Sequence, residues 1–362
     1  MLVHVVDPSA YTPPYDDALC AALARAGVDV ELHTSRFAHG AAPRAEGYVR
    51  REDFYRAPAP AALRRFAKLA QHVPDMLRYR RRARAADVVH FQWLPVQPID
   101  ARLLPDRPLV LTAHDVLPRE PRPGQLAGQR RLYERVDAVV VHSEHGRARL
   151  VDGLGLDPGR VHVIRHGALS PWARAAPAPL PAELADSGAA EVVLFFGLLR
   201  PYKGLDVLLR AWRGVQGAEL WIVGMPRMDI APLRAAAPEG VRWLTRFVSD
   251  GEMGALMRRA SLAVLPYREI DQSGVAFSAL AAALPLIVSD AGGLPDLAAA
   301  GAARTFPAGD AGRLRTAIVE LLADRVARER MAAAARAAAA GDYSWDAIAL
   351  ETRTLYERVL AA

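Results

Sequence analysis

The sequence has one cysteine, no long apolar run and almost no lysine. Because Cys20 stands alone, an internal disulfide is excluded, and the chain is typical of a reducing compartment. No stretch approaches about 18 consecutive apolar residues, which argues against a membrane-spanning helix. The opening residues, MLVHVVDPSA, combine neither a basic start nor a long apolar segment, so no signal peptide is predicted. We expect a cytoplasmic protein that at most rests on the inner face of a membrane.

Lysine is so scarce that its positions carry information. Among 46 basic residues only Lys68 and Lys203 are lysines. The formal net charge of +6 accompanies long runs of arginine and alanine that resemble GC-rich coding bias, so it says little about partners. Lys203 stands in FFGLLRPYKGLDVLL, residues 195–209, and is the first residue to test for function.

Short apolar runs recur along the chain with helical patterns between them. They fall at 2–6, 28–32, 87–91, 108–114, 137–143 and 160–164, and then at 191–197, 218–224, 241–245, 262–267, 285–290 and 303–306. Helical patterns include 15–26, 204–213, 250–259, 275–284 and 310–340. Near-continuous Val, Ile and Leu in strands that alternate with helices is typical of parallel sheets covered on both faces. The predicted fold class is α/β, with two doubly wound, Rossmann-like halves.

A segment rich in proline and alanine, 171–190, predicts a linker between the halves. It separates an N-terminal domain, 1–170, from a C-terminal domain, 191–342. The last helix, 343–362, is expected to pack back on the first domain. Since open α/β sheets bind ligands beyond the carboxyl ends of their strands, we expect substrates in a cleft between the halves.

The stretch around Lys203 has the chemistry of an anion site. A strand ends at Gly197 and a helix begins near Gly204, so Arg200 and Lys203 lie in the loop between them. Two cations and a helix N-terminus favour a bound phosphate, for which lysine serves as a compact point charge. The alternative is that both are solvated loop residues.

FFGLLRPYKGLDVLLRAW resembles the phosphate loop of the retaining GT-B glycosyltransferases of family 4 (glycosyl transferases group 1). Further matching stretches are LTAHD (111–115), VHSEHGRARL (141–150), VIRHG (163–167), LWIVG (220–224) and LPYREIDQSGVAFSALAAALPLIVSDAGGLPDL (265–297). The resemblance covers nearly the whole chain and is weakest in 34–86. It implies an enzyme that transfers a sugar from a nucleotide-sugar donor to a hydroxyl of a glycan, lipid-linked or small-molecule acceptor, with no metal and no other cofactor.

In that family an arginine and a lysine of the first motif contact the donor diphosphate. Lys203 matches the lysine, but Leu198 occupies the usual arginine position, and the nearest basic residue is Arg200. The family's second donor motif is a pair of glutamates eight positions apart. The later glutamate aligns with Ser278, and the earlier position is flanked by Glu269 and Asp271.

The remaining donor-side candidates open the helix that carries Ser278. They are Gln272, Ser273, Gly274 and Val275, with Gly197 at the end of the first strand. Backbone N–H groups of this helix start could hold the donor sugar or phosphate. The plain alternative is an ordinary helix N-cap at Ser273.

Two histidines follow predicted strands of the first half. The resemblance implies that His114 lies beside the donor sugar, whereas a lone histidine at a strand end can also be purely structural. His166 is as well suited to shaping the hinge as to touching a ligand. Many family members carry a glycine pair after the first strand, but this chain has DPSAYTPPYDD at 7–17, which leaves the acceptor unreadable.

Other functions stay open at this stage. A catalytically silent GT-B subunit that binds a nucleotide or a partner would explain the missing motif residues, and a nucleotide-sugar epimerase would share the fold. A phosphorylase would need a cofactor lysine, and Lys68 stands in an unsuitable context.

The segment 61–86 has eight lysines and arginines against one acid, Asp75, with apolar residues at helical spacing. This pattern predicts either contact with an anionic membrane or a solvated helix face. Because aromatic residues are not interleaved with the cations, nucleic-acid binding is not predicted.

Overall fold

The computed structural model describes residues 1–37, 44–57, 64–118 and 123–362, and it divides into two compact units. The first unit joins Met1–Gly167 to Trp345–Ala362, and the second is Ala168–Ser344. Within the described residues, the first unit has a seven-stranded sheet and the second a six-stranded sheet, and every strand pair in both is parallel. The prediction of two doubly wound, Rossmann-like halves is therefore confirmed.

The first unit is built on a sheet of order β3-β2-β1-β4-β5-β6-β7. Its strands are β1 (Leu2–Asp7), β2 (Asp29–Ser35), β3 (Val49–Phe54), β4 (Val88–Phe91), β5 (Leu109–Thr112), β6 (Ala138–Val141) and β7 (Val161–Val163). Its helices are α1 (Pro13–Arg25), α2 (Arg64–Arg82), α3 (Gln97–Leu103), α4 (Gln125–Arg135), α5 (Glu144–Leu154) and α13 (Trp345–Ala361). Successive side chains of the strands alternate between two apolar clusters, one on each face, as a sheet covered on both sides requires.

Strand β3 is absent from the sequence-based prediction. It reads VRREDF, and Phe54 alone of its six residues is fully buried. The strand lies at the edge of the sheet and pairs only with β2, where charged side chains protect an exposed edge from unwanted pairing. A search for continuous apolar runs cannot find such a strand.

The second unit is built on a sheet of order β10-β9-β8-β11-β12-β13. Its strands are β8 (Glu191–Phe196), β9 (Ala218–Val223), β10 (Val241–Leu244), β11 (Leu262–Leu265), β12 (Leu286–Ser289) and β13 (Ala303–Phe306). Its helices are α6 (Leu205–Trp212), α7 (Ala231–Ala235), α8 (Asp250–Arg259), α9 (Gly274–Ala281), α10 (Pro295–Ala299), α11 (Ala311–Ala323) and α12 (Arg325–Ala340). The single helix expected over 310–340 is thus two helices, because the Asp324 side chain accepts the Ala327 N–H at 2.8 Å and starts α12.

Both the proline-rich segment 171–190 and the last helix, α13, pack against other elements. Within the proline-rich segment, Leu184 is fully buried in this unit's core, and the turn Pro171–Arg174 packs on α8. Helix α13, which follows the second unit in sequence, packs against α1 of the first unit. A Cβ atom at Gly167 would lie 2.4 Å from the ring of Trp345, so only a glycine fits where that ring rests.

Strand order fixes where each unit can bind a ligand. In both sheets the order reverses beside the first strand, between β1 and β4 and between β8 and β11. The loops that leave the carboxyl ends of these neighbouring strands run in opposite directions and leave a crevice, which is where open α/β sheets bind ligands. None of the described helices is long and apolar enough to cross a membrane.

Candidate functional site

Lys203 lies in the crevice of the second unit. It ends a short 3-10 turn, Pro201–Lys203, and only 7 % of its surface is exposed. A Cβ atom at Gly197 would lie 2.8 Å from Lys203 Nζ and 3.0 Å from the Val275 side chain, so the ammonium lies between the end of β8 and the first turn of α9. Lys203 Nζ also lies 5.0 Å from the ring centroid of Tyr267, which stabilises the cation by its π face.

Two glycines make this arrangement sterically possible. Gly204 has φ +67°, and a Cβ there would lie 1.9 Å from the Pro266 carbonyl oxygen. Gly224 has φ +145°, and a Cβ there would lie 1.8 Å from the Gly197 carbonyl oxygen. Any side chain at either position would push apart the loops that follow β8, β9 and β11, so both positions require glycine.

Arg268 holds the Lys203 loop against the loop after β11. Its backbone N–H donates to Tyr202 O at 2.8 Å, its guanidinium donates to Pro201 O at 3.1 Å, and it pairs with Asp206 at 2.5 Å. Sequence reasoning missed this residue, because an arginine in an arginine-rich chain gives no signal of its own.

Helix α9 presents its N-terminus to the same crevice through Val275. The Ser273 side chain accepts the Ala276 N–H at 3.4 Å, so the predicted N-cap is present. Asp271, Ser273 and Ser278 are buried, and Gln272 is half-buried. The partial positive charge of the helix start and the Lys203 ammonium add at one place, which is the electrostatic requirement for a phosphate.

Three candidate residues of this unit are exposed to solvent. They are Arg200, Glu269 and Gly274. Arg200 begins the 3-10 turn that Lys203 ends, with extended backbone at φ −131°. The structure therefore places Lys203, Gly197 and Val275 together, while Arg200 stands on the solvent side of the same loop.

In the first unit, histidines gather at the carboxyl ends of neighbouring strands. His114 follows β5, His142 follows β6 and His166 follows β7. Burial lowers the pKa of His142 to about 4. Burial and the nearby His142 lower the pKa of His166 to about 3. Burial and the adjacent histidines also hold the pKa of His114 well below its ordinary value. All three rings are neutral at physiological pH.

Hydrogen bonds select one tautomer for His114. His142 Nδ1–H donates to the Ile164 carbonyl at 2.9 Å, so its Nε2 must accept a hydrogen bond from His114 Nδ1–H, 3.3 Å away. His114 Nε2 is then an acceptor, and it faces Gln92 Oε1 at 3.0 Å, so the Gln92 amide must be assigned in the turned orientation. In that orientation Gln92 Nε2 donates to His114 Nε2. This supplies the partner that Gln92 Nε2 otherwise lacks among the described atoms.

Aromatic side chains fix the histidine rings. His114 stacks on Trp93 with centroids 5.0 Å apart and meets Tyr15 edge-on at 4.7 Å. His166 donates from Nδ1 to Gly167 O at 2.8 Å and meets Tyr15 at 5.0 Å. These contacts fix the orientation of the rings. Because the rings are neutral, they offer hydrogen-bonding groups rather than charge.

The loop after β1 has no glycine pair and is ordered by a carboxylate instead. Asp7 accepts the backbone N–H groups of Ser9 at 3.2 Å, Tyr11 at 2.6 Å and Thr12 at 3.2 Å. The buried Asp16 carboxyl hydrogen-bonds Asp7, and burial followed by the Asp7 charge raises the pKa of Asp16 well above its ordinary value. Within this pair Asp16 therefore holds the proton more tightly and donates it in a hydrogen bond to the Asp7 carboxylate.

One group of possible metal ligands occurs in the described part of the chain: His4, Glu31 and His33. Arg51 already engages Glu31 in a two-point ion pair at 2.6 and 2.9 Å, and Asp53 accepts from His33 at 2.8 Å. The Glu31 carboxylate is therefore already paired with an arginine, and His33 is already hydrogen-bonded.

Solved structures of GT-B glycosyltransferases are similar to this chain. Sucrose-phosphate synthase from Thermosynechococcus elongatus superimposes with a TM-score of 0.76 at 19% identity, covering 100% of this chain and 99% of that one. Anabaena HepE in complex with UDP gives 0.73 at 19% identity, covering 99% and 100%. At such identity the likeness concerns the fold, and the fold is the GT-B class.

Sequence comparison adds the family. The family model described as Glycosyltransferase Family 4 matches residues 17–168, and Glycosyl transferases group 1 matches residues 190–324. The chain belongs to these glycosyltransferases, which confirms the resemblance and the enzyme class. Alpha-maltose-1-phosphate synthase of Mycolicibacterium smegmatis is 29% identical over 92% of both chains. D-inositol 3-phosphate glycosyltransferase of Frankia alni is 28% identical over 66% of this chain and 63% of its own.

The shared proton between Asp16 and Asp7 predicts a pH-dependent effect of Asp16→Asn. The raised pKa of Asp16 means that its stabilising contribution is complete below the unfolded value and is lost as the pH rises through the folded value. Asparagine donates to Asp7 at every pH. We expect the melting temperature of the variant, relative to wild type, to rise as the pH increases above about 4, the ordinary pKa of an aspartate.

Thermal unfolding followed by circular dichroism at each pH measures this difference. Asp152→Asn, on the exposed side of α5, is the control and should show no trend. A difference for Asp16→Asn that is flat or falls with pH would contradict the shared proton.

Proposed function

We propose that this chain is a retaining glycosyltransferase that moves a sugar from a nucleoside-diphosphate sugar to the hydroxyl of a glycan, glycolipid or small molecule, in the cytoplasm. The observation that carries the proposal is the buried Lys203 ammonium between Gly197 and the start of α9. Support for the donor class comes from the similar HepE, whose solved structures are complexes with UDP and with UDP-glucose.

The chemistry follows from the charge that develops when the donor breaks. As the bond between the anomeric carbon and the diphosphate opens, negative charge grows on the phosphate oxygens. A cation already in place beside them stabilises this charge without reorganisation, and burial strengthens the interaction. The acceptor oxygen bonds to the anomeric carbon on the same face, and its proton passes to the departing phosphate oxygen.

The neutral histidines of the first unit fit this route. Because the pKa of His142 is about 4 and that of His166 about 3, neither ring carries a proton that it could give up as an acid at neutral pH. We propose that His114 supports the donor sugar as a neutral hydrogen-bonding group. On the donor side, Ser278 is too short to hold both ribose hydroxyls, so the nucleoside is bound less firmly here than in enzymes with a glutamate at this position.

Lys203→Ala tests the proposal directly. Losing one preorganised charge donor should lower kcat by on the order of 10²-fold. Lys203→Arg should retain only part of the wild-type kcat, since the space beside Gly197 and Val275 fits a compact ammonium. Arg213→Ala, on the exposed surface of the same unit, is the control.

Initial rates are measured with the nucleotide sugar whose nucleotide, among UDP, GDP, ADP and dTDP, gives the largest thermal shift. If Lys203→Ala turns over within about threefold of wild type, Lys203 takes no part in the chemistry. Release of nucleotide with an isomerised free sugar would favour an epimerase. Nucleotide binding without donor hydrolysis or transfer would favour a silent subunit.

We also propose that transfer needs no metal and no cofactor, because Lys203 and the α9 N-terminus supply the positive charge that a divalent cation provides elsewhere. Activity should be unchanged when EDTA is added to enzyme and substrates. A loss of turnover in EDTA that Mn²⁺ or Mg²⁺ restores would overturn this part of the proposal.

Helix α2 supports a second proposal, contact with an anionic membrane. Beside the buried face of this helix runs an apolar stripe in which Phe66 is 72%, Leu69 54% and Leu77 44% exposed. Arg80 and Arg81 are exposed at its C-terminal end. An exposed apolar stripe beside cations is the pattern of a helix that lies in the headgroup region of anionic lipid.

The double variant Phe66→Ser, Leu69→Ser should weaken binding to phosphatidylserine-containing vesicles by about tenfold or more, because two apolar side chains no longer enter the bilayer. Flotation with anionic and with zwitterionic vesicles, at low and high salt, measures the bound fraction. Leu350→Ser, at an equally exposed leucine of α13, is the matched control. No flotation of wild type with anionic vesicles would leave α2 a solvated helix.

A further inference from the structure

Tyr55 follows the edge strand β3 in an unfavourable backbone conformation. Its φ is +51°, in the left-handed region that bulky residues avoid. The Asp75 side chain, buried on α2, accepts the Tyr55 N–H at 2.7 Å and holds the residue there. Such strain persists where the surroundings require a particular side-chain position.

The Tyr55 hydroxyl ends a chain of buried hydrogen bonds. Asp100 is fully buried and accepts the Val96 N–H at 2.7 Å with one carboxylate oxygen and His72 Nε2–H at 2.5 Å with the other. In a neutral His72 ring whose Nε2–H donates to Asp100, Nδ1 carries a lone pair. Tyr55 O–H, 2.8 Å from that Nδ1, must therefore be the donor.

In this direction both lone pairs of the Tyr55 oxygen can accept: the Ser9 side chain hydrogen-bonds the phenol, and the second lone pair can accept from a ligand. Burial raises the pKa of Tyr55, so the phenol keeps its proton at neutral pH and acts as a neutral acceptor. Tyr55 itself is half-buried, whereas His72 and Asp100 are buried. The buried part of the chain thus fixes the polarity of the hydroxyl of a residue that is only half-buried.

Tyr55 also lies at the end of the sheet where this fold binds ligands. It follows the carboxyl end of β3, and the side chain of Ser9, on the loop after β1, hydrogen-bonds its phenol. That loop is the one rigidified by Asp7 where many relatives have a glycine pair.

We propose that the Tyr55 oxygen accepts a hydrogen bond from a hydroxyl of the acceptor substrate, with His72 and Asp100 as positioning residues that fix its polarity. The ligand class is a hydroxyl-rich compound, such as a sugar or a polyol. This inference rests on the proposed glycosyl transfer and adds to it the recognition of the acceptor in the first unit.

Tyr55→Phe removes only the hydroxyl. Losing one neutral hydrogen bond should raise the KM for the acceptor by roughly 3- to 10-fold. The KM for UDP-glucose and its slow hydrolysis without acceptor should stay unchanged. Tyr48→Phe is the matched control, because Tyr48 donates a 2.6 Å hydrogen bond to Asp17 elsewhere in the same unit and its loss should not affect the acceptor KM.

Asp100→Asn provides a second, independent variant. An amide that donates to His72 Nε2 moves the ring proton to Nδ1, as in catalytic triads where the same change selects the wrong tautomer. Tyr55 would then accept from His72 and point its own proton outward. The acceptor KM should rise at least as much as in Tyr55→Phe, and adding Asp100→Asn to Tyr55→Phe should cause no further rise.

The assay uses UDP-glucose with glucose, myo-inositol and glycerol as acceptors, and ¹⁵N NMR of the histidines reports the His72 tautomer. A wild-type His72 protonated at Nδ1, or equal effects of Tyr55→Phe and Tyr48→Phe on the acceptor KM, would overturn the inference. Absence of both UDP-glucose binding and its hydrolysis by wild type would instead count against the proposed transfer with this donor.

Discussion

The burial of one ammonium group at the end of β8 depends on two positions that have no side chain. Gly224 lies so close to the Gly197 carbonyl, and Gly204 to the Pro266 carbonyl, that a methyl group at either place would separate three loops. Their approach brings Lys203 against Gly197 and the start of α9. Because the backbone around the ammonium is close-packed, the charge stays in place and can stabilise an anion without reorganisation of the protein.

The two units supply different kinds of polar group. The second unit offers fixed positive charge, from Lys203 and the helix start. The first unit offers neutral groups whose protons are directed by buried acceptors: the Ile164 carbonyl orders His142 and His114, and Asp100 orders His72. A phosphate requires the first kind and a sugar hydroxyl the second, so the division matches the two halves of a glycosyl transfer.

Much of this organisation could be predicted from the sequence, and the failures have physical causes. Continuous apolar strands predicted the doubly wound halves, and a lysine in an arginine-rich chain pointed to the buried ammonium of Lys203. Strand β3 escaped because an edge strand is covered by charged side chains. The Tyr55–His72–Asp100 chain escaped because its members are 17 and 28 positions apart and meet only in the folded unit. The sequence placed Arg200 and Lys203 in one loop, and only the structure shows that the Arg200 side chain is exposed and that of Lys203 buried.

The first unit is not a continuous piece of the chain. Trp345 closes over Gly167 and Tyr15, and the sequence between them builds the other unit entirely. The ribosome therefore synthesises the whole second unit before the last helix of the first. The face of α1 that α13 covers can be buried only after that synthesis, so the first unit cannot complete its core before the second unit exists.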